Sequence, residues 1–280
     1  MNAPASVAEF AAARLDALES VLRGMGRVAV AVSGGVDSMT LASVAQRTLR
    51  NGATMFHAIS PAVPAEATKR VQGLAEHEDW RLTLIDAHEF EHREYLRNPL
   101  NRCFYCKTSL YGAILPHTDA QIVSGTNLDD LGEYRPGLIA AREHGVRHPF
   151  VEAQIAKTAV RAIARHLGLS ELSELPASPC LSSRIETGIA IDAGMLDCVH
   201  QTERLIASEL SPKTVRCRVR AKGVVIELDE ATLSRLANDR RDALAGQVRS
   251  RFAHAGFDYP VDFAPYRVGS AFLHPVKLVR

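Results

Sequence analysis

The residues best suited to chemistry fall into three groups. Ser33-Gly34-Gly35-Val36-Asp37-Ser38 joins two adjacent glycines to two hydroxyls and a carboxylate. Gly34 and Gly35, lacking a Cβ, let main-chain N–H groups approach a phosphate closely. Ser33 and Ser38 can donate to phosphate oxygens, and Asp37 can hold a Mg²⁺ that bridges a leaving pyrophosphate. No lysine follows the glycines, so this is not a Walker A loop. A ligand-free turn explains the glycines but not the hydroxyls and acid around them. The second group is Cys103-Phe104-Tyr105-Cys106 with Cys180, which lies in a Pro- and Ser-rich stretch. Three thiolates can serve one metal ion or cluster and leave one position open. Structural zinc, a redox pair and two buried thiols fit the CxxC spacing equally well. The third is His88-Glu89-Phe90-Glu91-His92, which satisfies the HExxH pattern of zinc hydrolases. A zincin needs these histidines one turn apart on an established helix. Here they follow a predicted strand after only a couple of residues, which makes the match a coincidence of a charged stretch.

The elements that must position these groups follow from hydrophobic periodicity. Val28-Ala29-Val30-Ala31-Val32 is a short apolar run of the kind buried on both faces of a parallel sheet, and it leads straight into the glycine loop. Met39, Leu41, Val44 and Ala45 then resume helical spacing, giving strand, loop and helix in order. A loop in that position collects N–H groups and the positive end of a helix dipole at one point. An amphipathic helix precedes the strand (Val7 to Leu22). Further strands are predicted at 54–59, 81–85 and 121–124, and a helix at about 157–167, the alternation of a doubly wound α/β domain. Gly125-Thr126-Asn127 closes a strand and leads to Asp129, Asp130 and Glu133, which would line the same carboxyl-end crevice; a solvated acidic helix start is the plain alternative. The stretch 171–188 is loop-like. Beyond it come a helix (195–210), two strands (214–219 and 224–228) around Ala221-Lys222-Gly223, and a helix (231–252). The expected architecture is thus a doubly wound parallel sheet over residues 1–187 and a smaller α+β domain over 188–280.

The chain has 280 residues, with 33 basic and 32 acidic side chains. That balance supplies no global field to attract nucleic acid or an anionic membrane. With no bilayer-length apolar run and no basic-then-apolar leader, a cytoplasmic protein is expected. Five cysteines without an export signal argue against a disulfide framework. Cys198 and Cys217 fall in a predicted helix and strand and read as buried.

The pattern Ser-Gly-Gly-x-Asp-Ser after a first apolar strand resembles the PP-loop ATP pyrophosphatases, which cleave ATP between its α and β phosphates. Three further segments follow the loop in order: Asn98-Pro99-Leu100-Asn101-Arg102-Cys103-Phe104-Tyr105-Cys106-Lys107, then Gly125-Thr126-Asn127-Leu128-Asp129-Asp130-Leu131-Gly132-Glu133-Tyr134-Arg135-Pro136-Gly137, then Pro179-Cys180-Leu181-Ser182-Ser183-Arg184. With these the chain resembles the LarE family of ATP-dependent sulfur transferases, over most of its length. Arg216-Cys217-Arg218, Glu227 and Tyr266-Arg267-Val268-Gly269-Ser270 look like the family's C-terminal elements, although Pro265, Val268 and Ala271-Phe272 depart from its usual wording. The resemblance implies sulfur insertion into a pyridinium dicarboxylic acid mononucleotide during nickel-pincer nucleotide cofactor assembly. ATP and Mg²⁺ would serve an acyl adenylate, with Ser33, Gly34, Gly35, Asp37, Ser38, Gly125, Asn127 and Asp130 at the nucleotide. Arg184, Arg216, Arg218 and Glu227 would bind the substrate. Cys180 matches a cysteine that in one branch of the family gives up its own sulfur and is left as dehydroalanine. Cys103, Cys106 and Cys180 also resemble a branch that holds a [4Fe–4S] cluster whose fourth iron carries the donated sulfide. The resemblance further implies a homo-oligomer working beside other enzymes of the same cofactor pathway. A PP-loop tRNA thiolation enzyme fits the same cysteines but would need a basic RNA face, for which there is no Lys/Arg-dense tract. A zinc hydrolase at His88 and His92, or a zinc-stabilised binding module at Cys103 and Cys106, is the alternative of another class.

Overall fold

The structure is a computed structural model and describes residues 7–132 and 134–272; Glu133 lies outside the described residues. In chain order the elements are α1 (Val7–Met25), β1 (Val28–Ala31), α2 (Val36–Leu49), β2 (Ala53–Ala58), α3 (Ala65–His77), β3 (Leu82–Ile85), α4 (Arg93–Leu96), α5 (Arg102–Ile114), β4 (Gln121–Ser124), α6 (Pro136–Glu143), α7 (Pro149–Glu152), α8 (Lys157–His166), α9 (Ser170–Ser173), α10 (Ala193–Leu210), β5 (Val215–Arg220), β6 (Gly223–Leu228), α11 (Glu230–Arg235), α12 (Asn238–His254) and β7 (Val261–Pro265). They form two compact units. Among the described residues, one contains 7–91 and 103–178, the other 92–102 and 179–272.

The first unit is the expected parallel α/β sheet, in strand order β3-β2-β1-β4. All four residues of β1 are buried, as its unbroken apolar run requires. Because side chains alternate across a strand, Val28 and Val30 face one side of the sheet and Ala29 and Ala31 the other. The valine side meets Leu18, Leu22, Met39, Leu41, Val44, Phe150, Val160 and Ile163. The alanine side meets Tyr111, Ile114, Ala141 and Val146, where the small side chains leave room for the Tyr111 ring. The chain moves from β1 outward through β2 and β3, then returns to place β4 on the opposite flank of β1. This reversal opens a crevice at the carboxyl ends of β1 and β4, the usual ligand site of such sheets.

In the second unit β5 and β6 form an antiparallel hairpin, and β7 adds to β6 in parallel. α10 begins with Asp192 as its cap, the carboxylate accepting from the Met195 N–H at 2.9 Å. The helix expected over 231–252 is two helices, with Leu236 and Ala237 in extended conformation between them. Leu236 turns inward to be buried, and Asp239 supplies a new acidic first turn. The loop expected at 171–188 contains part of α9 and a short 3-10 turn at Leu181–Arg184. Among the described residues no helix is long and apolar enough to cross a membrane.

Candidate functional site

In the first unit, the glycine loop emerges from β1 and ends in the first turn of α2. Gly34 has φ +81°, and a Cβ there would stand 2.9 Å from the Ala67 carbonyl oxygen, so both the backbone angle and the space require glycine. Gly35 precedes α2 without a side-chain cap, which leaves the N–H groups of the first helical turn outside the helix's own bonding. The Ser33 N–H donates to Ser38 Oγ at 3.0 Å, and the two hydroxyls lie 3.1 Å apart. The loop is thereby closed around its own serines. Asp37 lies in the first turn of α2, where the helix dipole favours a carboxylate.

The loop after β4 meets the glycine loop directly. A Cβ on Gly125 would lie 2.7 Å from Ser38 N, so the two backbones touch at that point. Asn127 is buried and donates from Nδ2 to Asp37 Oδ1 at 3.3 Å. Its N–H donates to Asp130 at 3.0 Å, and Asp130 pairs with Arg135 at 2.8 Å. The expected nucleotide residues Ser33, Gly34, Gly35, Asp37, Ser38, Gly125, Asn127 and Asp130 therefore converge at the crevice between β1 and β4.

A residue missed in the sequence completes this group. Lys157, the first residue of α8, places its ammonium on the Asp37 carboxylate, while its N–H donates to Asp129 at 2.8 Å. A signal was present in the sequence: a lysine in a helix's first turn opposes the dipole and asks for an anionic partner. His148 was also missed. Its Nδ1 lies 2.9 Å from Ser124 Oγ, which is 3.1 Å from Thr126 Oγ1, so an imidazole–hydroxyl chain runs to the tip of β4. Burial holds this imidazole below its ordinary pKa, against the raising influence of Glu152 and Asp130.

Cys103 and Cys106 stand one turn apart at the start of α5, both half-buried. That spacing fits two thiolates sharing one metal centre. Among the described residues, no group of three or more His, Cys, Asp and Glu side chains is placed to hold a metal ion. The HExxH histidines are not on one helix: His88 has φ +55° and a 3-10 turn spans Glu89–Glu91. His88 instead pairs with Glu91 at 2.9 Å, which raises its pKa.

In the second unit, Cys180 is half-buried and precedes the 3-10 turn. Arg184 holds its loop: Nη1 donates to the carbonyl oxygens of Pro179 at 2.7 Å and Cys180 at 3.2 Å, while Nε and Nη2 grip Glu203 in two bonds of 2.9 and 3.0 Å. Arg216, Arg218 and Arg220 alternate along β5, and the intervening Cys217 and Val219 pack into the interior. Arg218 is buried, bonded to Glu227 at 3.1 Å and to the Ser183 carbonyl at 2.9 Å. Glu227 also accepts from Arg220 and from the Ser270 hydroxyl, at 2.8 and 2.7 Å. Arg216 lies over the Tyr266 ring at 5.9 Å. Burial, and then the neighbouring Arg184 and Arg218 cations, push its pKa below the ordinary guanidinium value. Arg184, Arg218 and Glu227 thus brace the Cys180 loop and the C-terminal Tyr266–Ser270 segment, and Arg216 lies beside them. Cys198 and Cys217 are buried, and burial raises both thiol pKa values, that of Cys217 strongly, which makes them poor nucleophiles.

No family model matches the sequence. An uncharacterized protein of Synechocystis sp. is 34% identical over 261 residues, spanning 91% of this chain and 96% of that protein. The pyridinium-3,5-bisthiocarboxylic acid mononucleotide synthase of Lactiplantibacillus plantarum is 30% identical over 262 residues, spanning 90% of this chain and 91% of that enzyme. An uncharacterized protein of Methanocaldococcus jannaschii is 28% identical over 153 residues, 53% of this chain and 59% of that protein.

Proposed function

The chain belongs to the LarE family, that of the pyridinium-3,5-bisthiocarboxylic acid mononucleotide synthase, and on that premise we propose that it uses ATP to convert a carboxylate of pyridinium-3,5-dicarboxylic acid mononucleotide to a thiocarboxylate. The observation that carries this reading is the Asp37 carboxylate at the foot of α2, held by Lys157 and Asn127 beside two glycine-bearing turns. A carboxylate oxygen of the substrate attacks the α-phosphorus of ATP, and pyrophosphate leaves. The α2 N–H groups with Ser33 and Ser38 receive the phosphate oxygens, and Lys157 transfers its charge from Asp37 to the leaving pyrophosphate. When bound at Asp37, Mg²⁺ supplies further neutralisation of that leaving group. Gly125, Asn127 and Asp130 are assigned to the same nucleotide, with Asn127 holding the Asp37 carboxylate in place. Arg216 is assigned to the substrate's phosphate or second carboxylate, with Arg184, Arg218 and Glu227 holding the strand that carries it.

The acyl adenylate then receives sulfur, and AMP leaves. With Cys180 as donor, its sulfur attacks the acyl carbon. Removal of the Cys180 α-proton and cleavage of its Cβ–S bond then leave dehydroalanine on the protein and the thiocarboxylate on the substrate. An iron–sulfur centre held by Cys103 and Cys106, one turn apart on α5, would supply an inorganic sulfide instead. The test is incubation of the purified protein with ATP, Mg²⁺ and the dicarboxylate. AMP and pyrophosphate in equal amounts, dependent on substrate, are expected. Intact mass identifies the donor: loss of the elements of H₂S from Cys180 marks the sacrificial route, and an unchanged chain that binds iron marks the cluster. Absence of AMP with the substrate present would overturn the proposal.

A further inference from the structure

A cavity of about 470 Å³ lies in the first unit between α2, α3 and the turn joining α8 to α9. Its volume is within the range of sites that enclose small molecules. The buried Met39 and Leu172 form its floor, and Leu74, Leu169 and Leu175 its walls. Arg70 is its half-buried cation. Nη1 of Arg70 donates to the Gly34 carbonyl at 2.7 Å, which ties the cavity wall to the glycine loop from behind. One guanidinium carries five donors, and the Gly34 bond uses one. Burial lowers the Arg70 pKa, with Glu66 partly offsetting it, so this cation is incompletely solvated.

We propose that this cavity is a second ligand site, which takes a small carboxylate with an apolar body and tightens the phosphate loop through Arg70. A carboxylate fits because Arg70 presents a planar fork suited to it, and the leucine walls favour an aliphatic or aromatic body. A phosphate dianion fits less well, since Arg70 is balanced by Glu66 and the rim carries Glu171. With Nη1 on Gly34 and the remaining edge on the ligand, the guanidinium is held at both ends. The Gly34 carbonyl is then fixed more firmly, and Gly34 already abuts Ala67 of the same helix. The sign of the coupling is therefore positive, and it is reciprocal: ligand tightens ATP and ATP tightens ligand. The ATP half of this statement rests on the nucleotide reading of the loop given above.

The experiment is calorimetric titration of the full chain with sodium octanoate, and with octanamide as its uncharged counterpart. Octanoate is expected to bind one site per chain, with octanamide weaker by about tenfold, the scale of one charge-assisted hydrogen bond. Arg70→Met should reduce octanoate binding to the octanamide level. Leu74→Trp and Leu175→Trp fill the cavity from half-buried positions and should each abolish binding while the melting temperature is kept. Saturating octanoate should slow hydrogen exchange of the Ser33–Ser38 amides at least twofold, a readout that needs no ATP. It should also tighten ATP about fivefold, near the low end of ordinary coupling. Absence of octanoate binding, binding that survives both tryptophans, equal binding of octanamide, or unchanged loop exchange each overturns the proposal. Failure of ATP to bind while the octanoate results hold would count against the nucleotide reading alone.

Discussion

Replacing Gly125 by alanine is the most direct challenge to the crevice as a nucleotide site. The added Cβ would lie 2.7 Å from Ser38 N, 2.8 Å from Ser38 Cα and 2.9 Å from the Asp37 carbonyl carbon. All three are backbone atoms in the first turn of α2, so no side chain can swing aside. Ordinary contact begins near 3.4 Å, so the two turns must part by about 0.7 Å. Gly125 does not have a positive φ, so the cost is steric and not conformational. Overpacking of this kind costs about 1–3 kcal/mol, a fall of roughly 2–12 °C in Tm for a unit of this size. A displacement approaching 1 Å in a positioning element costs on the order of 10²-fold in rate. Substrate-dependent AMP formation should therefore fall by tens of fold or more, far beyond what the loss of stability explains at 25 °C. Gly112→Ala is the control: it lies within α5 with nothing inside 4 Å of its Cβ. It should leave the rate unchanged and stabilise the helix by up to about 1 kcal/mol. A folded Gly125→Ala protein that forms AMP at the parental rate would refute the argument.

Three other outcomes are expected. Lys157→Met should lower AMP formation at least about 100-fold yet cost no more than about 1 kcal/mol in urea unfolding, because the pair with Asp37 is partly exposed; a large loss of stability with an intact rate would reverse the assignment. Arg218→Met removes one partner of a Glu227 carboxylate that is 2% exposed and leaves it Arg220 and Ser270, so it should destabilise the protein by about 1.5–3 kcal/mol. Glu227→Met should cost more, because it takes the shared acceptor from Arg218, Arg220 and Ser270 together, and equal losses in the two variants would count against this network. Burial holds His57 and His148 neutral, below their ordinary 6.5. The unfolded chain gains protons below 6.5 that the folded chain refuses, so their contribution is complete above 6.5 and is lost as pH falls toward the lowered values. Urea midpoints should fall between pH 7 and 5.5, less so in His57→Gln, and identical pH slopes for the two proteins would dismiss His57 as a cause.

The sheet was legible because its central strand is an unbroken apolar run that ends in glycines, and only a buried parallel strand uses that pattern well. The crevice followed from two turns, each placed after a strand. What stayed hidden depended on long-range pairing. Lys157 reaches Asp37 across 120 residues of sequence. Its role was written locally only as an unfavourable charge at a helix start. His148 and Arg70 carry no local mark, since each acquires its meaning from a backbone or hydroxyl group brought near by the fold. The arginines of β5 were read from type alone. Their alternation with Cys217 and Val219 gave the face, but which of them would be taken up by Glu227 is decided by side-chain register across the hairpin. The break at Leu236 was missed because helical periodicity continues through it.

The eleven-residue insertion of 92–102 into the second unit governs how this protein can be made. Tyr95 is buried there and bonded to Ser182 at 2.7 Å, and Asn98, at φ +53°, donates to the Glu186 carbonyl at 2.8 Å and accepts the Gly188 N–H through its own carbonyl at 2.9 Å. A recombinant fragment beginning at Pro179 would lack all of these and expose the surface that Tyr95 covers. On the ribosome the same segment is synthesised long before its partners, and it waits for the C-terminal third of the chain to emerge. The second unit is therefore the last to be completed, and a chain terminated before Ser182 would leave an early piece of chain without its seat.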